Sequence, residues 1–217
     1  AALVLAAGPA LADCPPPAQM QEAARAWLAG ERLPDPGAAT VEDAACAYDA
    51  YRQVLQAEMG SPVGWKVGFT SKPVQDRFGV TAPATGALFA PMILKDGSEV
   101  SLAGSRSPFY EADLVVTVAD AAINEATTRE QVAASLSDVR PFIELPDMAL
   151  TKGLAPTGLL MAAYGVMPWR GVEGTGVKIS DLADPVADLA ARWLESKEGD
   201  VTPNIWAGYK RDYENWI

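Results

Sequence analysis

Residues 111–118, EADLVVTV, alternate so regularly that an extended strand is the one local structure that sorts them. Period two sends Glu111, Asp113, Val115 and Thr117 to one side and Ala112, Leu114, Val116 and Val118 to the other. The apolar row is expected to be a core face. The acidic row then needs an explanation, because Asp and Glu are depleted in strands and cost free energy when buried without a counterion. A third carboxylate follows a readable stretch. Thr127 to Glu130 (TTRE) has capping-box spacing and predicts a short helix through about Leu136. VRPFIELPD then reads as a second strand ending at Pro146. Strand, helix, strand is a crossover that can lay Glu144 beside Glu111 and Asp113 in one sheet. Three converging oxygen ligands in a chain with no histidine point to a hard dication, Mg²⁺ or Mn²⁺. The competing reading is a solvated, acidic edge strand.

Composition narrows the partners. With 217 residues, 49% of them hydrophobic, the chain can bury a sizeable core. A formal net charge of −11 without a Lys/Arg run argues against nucleic acid and against anionic membrane surfaces. The lack of histidine excludes Ser-His-Asp and Cys-His catalysis and the usual zinc sites.

The first twelve residues, AALVLAAGPALA, are apolar and end in Ala10-Leu11-Ala12, the small-x-small pattern of a signal peptide, with cleavage expected before Asp13. An Ala-rich first helix is the alternative. The signal reading places the mature chain in the periplasm or outside the cell, with no membrane contact after cleavage. Cys14 and Cys46 are the two cysteines, and an oxidising compartment makes them a natural disulfide; two unpaired thiols are the alternative.

After the Pro15-Pro16-Pro17 stop, residues 18–29 carry Ala23, Ala26, Trp27 and Leu28 at helical intervals and end at Gly30. Thr40 heads a second helix through about Met59, with Tyr48, Tyr51 and Leu55 on one stripe and Gly60 as terminator. From Pro62 the pattern becomes short β-rich segments cut by Gly and Pro: GWKVGFTS, GALFAPMIL, FYEADLVVTV and VRPFIELP. The expected organisation is a signal remnant at 1–12, a helical segment at 13–60 and a metal-binding β-rich core at 61–217. A helix over LADPVADLAARWLESKEGD carrying Leu182, Val186, Leu189 and Trp193, then the aromatic set Trp206, Tyr209, Tyr213 and Trp216, reads as packing rather than a ligand box.

Together these segments resemble the fumarylacetoacetate hydrolase superfamily, most of all its branch of 2-keto-4-pentenoate hydratases and 4-oxalocrotonate decarboxylases. GWKVGFTS at 64–71 looks like that branch's G-x-K-x-G-x-T-S segment, and FGVTAPATGALF at 78–89 is similar to its next loop and strand. YEAD at 110–113 stands at the E-x-E metal pair, and IELPD at 143–147 at the strand carrying the third ligand. The resemblance implies an α+β fold, a mixed, mostly β roll preceded here by the N-terminal helical pair. It implies Mg²⁺ or Mn²⁺ held by Glu111, Asp113 and Glu144, and a small 2-oxo or 2-hydroxydienoic acid chelating that ion through its carboxylate and 2-oxo oxygens. Lys66 is the implied catalytic cation, against a strand lysine snorkelling to water. Ser71 is expected to hydrogen-bond substrate or to cap a turn. Asp147 is expected either to steady the metal strand or to be simply the first polar residue after it. By analogy with relatives the chain is expected to be a homo-oligomer. Pro83-Ala84-Thr85-Gly86 lacks the acid that the branch carries in that loop, and the metal pair is E-x-D, one methylene shorter. The expected function is a metal-dependent hydratase- or decarboxylase-like lyase; the alternative is an exported, non-catalytic binding protein for small oxo acids.

Overall fold

The computed structural model describes residues 14–182. The expected signal segment and the expected C-terminal helix with its aromatic set therefore lie outside the described residues, apart from Leu182. The chain divides into two compact units, one within Ala1–Met92, Ser101–Phe109 and Asp147–Trp169, the other within Ile93–Val100, Tyr110–Pro146 and Arg170–Ile217.

The first unit begins with helices α1 (Pro17–Leu28) and α2 (Val41–Met59). Proline at the first helical position is preorganised and gives up an N–H that would have had no partner, so α1 starts where the Pro run ends. The N-cap of α2 is a reciprocal box: the Thr40 hydroxyl accepts from the Asp43 N–H at 3.0 Å, and Asp43 Oδ2 accepts from the Thr40 N–H at 2.9 Å. Gly60, at φ +87°, ends it. A Cys14–Cys46 disulfide ties the segment just before α1 to α2. They bury Met20, Ala23, Ala24 and Trp27 from α1 and Ala47, Tyr48, Tyr51 and Leu55 from α2. Two buried tyrosines, Tyr48 and Tyr164, are tethered by their polar ends. The Tyr48 hydroxyl accepts from the Ala87 N–H, and the Tyr164 hydroxyl donates to the Pro34 carbonyl at 2.8 Å. Desolvation raises the pKa of Tyr48, Tyr51 and Tyr164 alike.

Strands β1 (Pro62–Gly68) and β2 (Ala84–Phe89) form an antiparallel pair. Between them lies helix α3 (Lys72–Phe78), which hydrophobic periodicity did not predict. Its signals are positional instead: Ser71 as N-cap, Pro73 in the first turn, and Gly79 in the left-handed region at φ +69°. The pair packs closely on the turn after a short helix in 158–162. A Cβ at Gly86 would lie 1.9 Å from the Gly165 carbonyl oxygen. That turn runs through three successive left-handed residues, Gly165, Val166 and Met167 (φ +63°, +60° and +60°). For Val166 this is a strained conformation, and the contacts around it must hold it there.

The second unit is a sheet made of β3 (Ile93–Lys95), β4 (Glu111–Val118), β5 (Leu136–Leu145), β6 (Arg170–Glu173) and β7 (Val177–Lys178). Its order is β3-β6-β5-β4, with β7 also paired to β5; β3 runs parallel to β6, and the other pairings are antiparallel. Three local expectations need correction. The capping box sits one residue later, with Thr128 as N-cap and Gln131 as its partner, because Gln131 reaches back to the Thr127 and Thr128 N–H groups at 2.7 and 3.1 Å. The helix α4 (Arg129–Ala134) is correspondingly short, and Leu136 already opens β5. The connection is not a crossover to a parallel strand, since β4 and β5 pair directly and antiparallel. The apolar row of β4 is also only partly a core face. Leu114 packs, as do Leu136 and Val177, against the buried cluster of Val139, Ile179 and Leu182, whereas Val116 and Val118 are 43% and 52% exposed.

Candidate metal centre

Antiparallel register brings the three carboxylates together. Glu111 and Glu144 are directly opposite one another, and Asp113 lies two residues along β4 on the same face, opposite Phe142. Each of the three offers an oxygen within 4.8 Å of the other two. Their exposure is graded: Glu144, on the interior strand, is 4% exposed, Asp113 is half-buried and Glu111 is open to solvent.

The donor set fits a small hard cation. Around an octahedral Mg²⁺ with bonds of about 2.1 Å, neighbouring oxygens lie about 3 Å apart and opposed ones about 4 Å apart, so three oxygens within 4.8 Å need only small side-chain adjustments to share one ion. Three carboxylates on one face also concentrate negative charge that a dication would offset.

Arg140, four residues before Glu144 on β5, contacts Asp138 Oδ1 at 2.7 Å and Glu173 Oε1 at 3.1 Å. Hydrogen bonds from Ser137, then from Arg140, hold the Asp138 carboxyl below its ordinary pKa. Between Arg140 and the triad sits Phe142, whose ring fills the space over Gly171: a Cβ there would lie 1.9 Å from the ring. Since Gly171 pairs with Glu144, an aromatic wall stands beside that buried carboxylate.

The other expected site residues lie in the first unit. Lys66, on β1 opposite Gly86, is half-buried, and its ammonium donates to the carbonyl of the strained Val166 at 3.2 Å. Ser71 is exposed at the N-cap of α3, where its hydroxyl makes no capping bond. Ala84 opens β2. Asp147 is fully buried and accepts hydrogen bonds from the backbone N–H groups of Arg106 and Ser107. Arg106 escaped sequence reading, because a lone arginine in a Ser/Gly-rich turn carries no periodic or spacing signal. Phe142 looked like an ordinary strand aromatic.

No family model matches the chain. It is 36% identical over 110 residues to the 2-hydroxyhexa-2,4-dienoate hydratase of Comamonas testosteroni, a match covering 50% of this chain and 42% of that protein. It is 30% identical over 141 residues to 2-keto-4-pentenoate hydratase 1 of Dechloromonas aromatica, covering 64% and 51%. The chain thus spans about half the length of these curated relatives. Among solved structures it superposes on the 4-oxalocrotonate decarboxylase of Pseudomonas putida G7 complexed with magnesium and adipate, with a TM-score of 0.67 and 20% identity, over 76% of this chain and 65% of that one. The same enzyme complexed with calcium and acetate gives a TM-score of 0.65 at 22% identity. The fold is therefore that of the decarboxylase. Over about half the length of those relatives, the chain's sequence is similar to 2-hydroxydienoate and 2-keto-4-pentenoate hydratases.

Proposed function

We propose that the protein is a lyase dependent on Mg²⁺ or Mn²⁺, acting on a small 2-oxo or 2-hydroxydienoic acid in the manner of a hydratase or decarboxylase. The observation that carries this reading is the convergence of Glu111, Asp113 and Glu144 within 4.8 Å on adjacent strand ends. The names of the relatives support a lyase rather than the binding-protein alternative.

Glu111, Asp113 and Glu144 would hold the dication. When bound, it would supply Lewis-acid stabilisation of the enolate charge that develops at the 2-oxo position. Glu144, fixed on an interior strand and walled by Phe142, sets the rigid side of the site, while the exposed Glu111 leaves an open side for substrate oxygens. Lys66 would supply the positive charge that suits a substrate carboxylate, and its ammonium could pass a proton to carbon as the hydroxyl of a water adds across the conjugated double bond, the proton lost by that water returning to the lysine. Its bond to the Val166 carbonyl limits where that ammonium can sit. The Ser71 hydroxyl, unused by its helix, is available to a carboxylate oxygen.

Two measurements test this. Calorimetric titration with Mn²⁺ should show one ion bound per chain, weakened roughly tenfold or more by Glu111→Ala. Dienoate ultraviolet absorbance should then decay with the wild type only when metal is present. Equal Mn²⁺ affinity in the two proteins would falsify the assignment of the ligands. A metal-loaded protein that leaves dienoates and 2-oxo acids untouched would refute the enzymatic half.

A further inference from the structure

We propose that Asp147, with the Arg106–Ser107 backbone it grips, is a positioning device for the metal ligands, resting on the metal reading above. Asp147 is 1% exposed, and every partner shown for its carboxylate belongs to the segment just before β4. Oδ1 accepts from the Arg106 N–H at 3.0 Å and the Ser107 N–H at 2.6 Å. Oδ2 accepts from the Arg106 N–H at 2.9 Å and from Nη1 of the Arg106 guanidinium at 3.4 Å. Pro108 and Asp147 form an isolated antiparallel bridge, and the Met148 N–H donates to the Ser107 carbonyl at 2.9 Å.

Arg106 is anchored in turn. Its guanidinium donates to the carbonyls of Trp27, Gly30 and Gly104 and lies 5.8 Å from the centre of the Trp27 ring. The contact therefore has a fixed side, the end of α1.

Chain arithmetic gives this knot its role. Asp147 is three residues after Glu144, and Ser107 is four before Glu111. A three- or four-residue tether extends only about 10 to 14 Å, so closing the Asp147 contact limits how far the chain entering β4 can slide past the chain leaving β5. Register matters greatly here, because a one-residue slip would turn Glu111 and Asp113 to the opposite face of the strand from Glu144. Asp147 is thus a positioning residue. It acts on the ion through the chain, not by touching a ligand.

The experiment is Mn²⁺ titration of the full chain by calorimetry, with thermal melts of the same samples. Asp147→Asn keeps the shape but loses the charge and one acceptor; it should raise the Mn²⁺ dissociation constant about tenfold or more in protein that is still folded. Asp147→Glu, which keeps the charge opposite Arg106 and is the safer variant for folding, should raise it by about threefold, because the extra methylene shifts the acceptor by roughly 1.5 Å. A purely structural role would lower the melting temperature and leave the affinity of the folded protein alone. Affinity within twofold of wild type in either folded variant overturns the proposal. A wild type that binds no Mn²⁺ overturns the metal reading on which it rests, and the wild-type titration tells the two failures apart.

Discussion

At the scale of single residues, the triad is a compromise between strand pairing and charge. Cross-strand like charges are destabilising, and Glu111 opposite Glu144 is such a pair, with Asp113 adding a third charge on the same face. The Asp113→Asn variant separates the two demands. Losing one of three clustered charges should relieve about 0.5–1 kcal/mol of repulsion in the metal-free protein, which for a chain of this size is a rise of roughly 2 °C in melting temperature. The same variant should lose most of the further rise that Mn²⁺ gives the wild type, since an amide oxygen is a poorer ligand for a hard dication. Melts with chelator and with Mn²⁺ check both halves, and a metal-free variant that melts below the wild type would contradict the first. Glu111, Asp113 and Glu144 were legible as a group because period two and a counterion argument converge on them. Arg106 was not, because its meaning comes from Trp27, Gly30 and Asp147, which are remote in sequence.

Among the elements, α1, α2 and the strands β1, β2, β4 and β5 could be read from the sequence, because each carries a cap, a terminator or an alternating run. What escaped reading was decided by tertiary contact. The sequence 127–131 offers two threonines as N-cap, and the reach of Gln131 selects the second. A capping box marks where α4 starts but not how short it is, and with only six residues it is too short for a crossover, so β4 and β5 pair antiparallel. Two glycines of the β1–β2 pair show the same limit. Gly64 and Gly86 are indistinguishable by sequence, yet a Cβ at Gly64 meets nothing within 4 Å, whereas one at Gly86 would meet the Gly165 carbonyl oxygen at 1.9 Å. Gly64→Ala should therefore be neutral or gain about 0.5 kcal/mol by restricting the unfolded chain. Gly86→Ala should lose about 3 kcal/mol, since the obstacle is backbone that cannot rotate away. Urea unfolding of the two variants gives the comparison directly, and equal midpoints would mean that the strained turn at 165–167 yields easily.

Over the whole molecule, the chain is interleaved. It passes between the two compact units at 92/93, 100/101, 109/110, 146/147 and 169/170, so each unit is completed by segments distant in sequence. Local signals could indicate strands and helices, but not this exchange, and contacts of such long range are costly to close. The disulfide works against that cost at one place. Cys14 and Cys46 are separated by 32 residues, lie within the first segment of the first unit, and join the chain entering α1 to α2 before any interleaved segment is needed. Loop-closure arithmetic gives such a link about 3 to 4 kcal/mol, acting chiefly by narrowing the unfolded ensemble. Reduction should therefore leave the native helices in place while making them easier to open. In hydrogen exchange, the slowest amides of α1 and α2 should speed up by roughly two to three orders of magnitude in reductant, the rate equivalent of that free energy when exchange follows the opening equilibrium. A Cys14→Ser/Cys46→Ser double variant without reductant should reproduce the effect. Unchanged exchange in both cases would mean that the helical pair is held by its buried side chains, Met20, Trp27, Tyr48 and Tyr51 among them, and that the bridge contributes nothing to its stability.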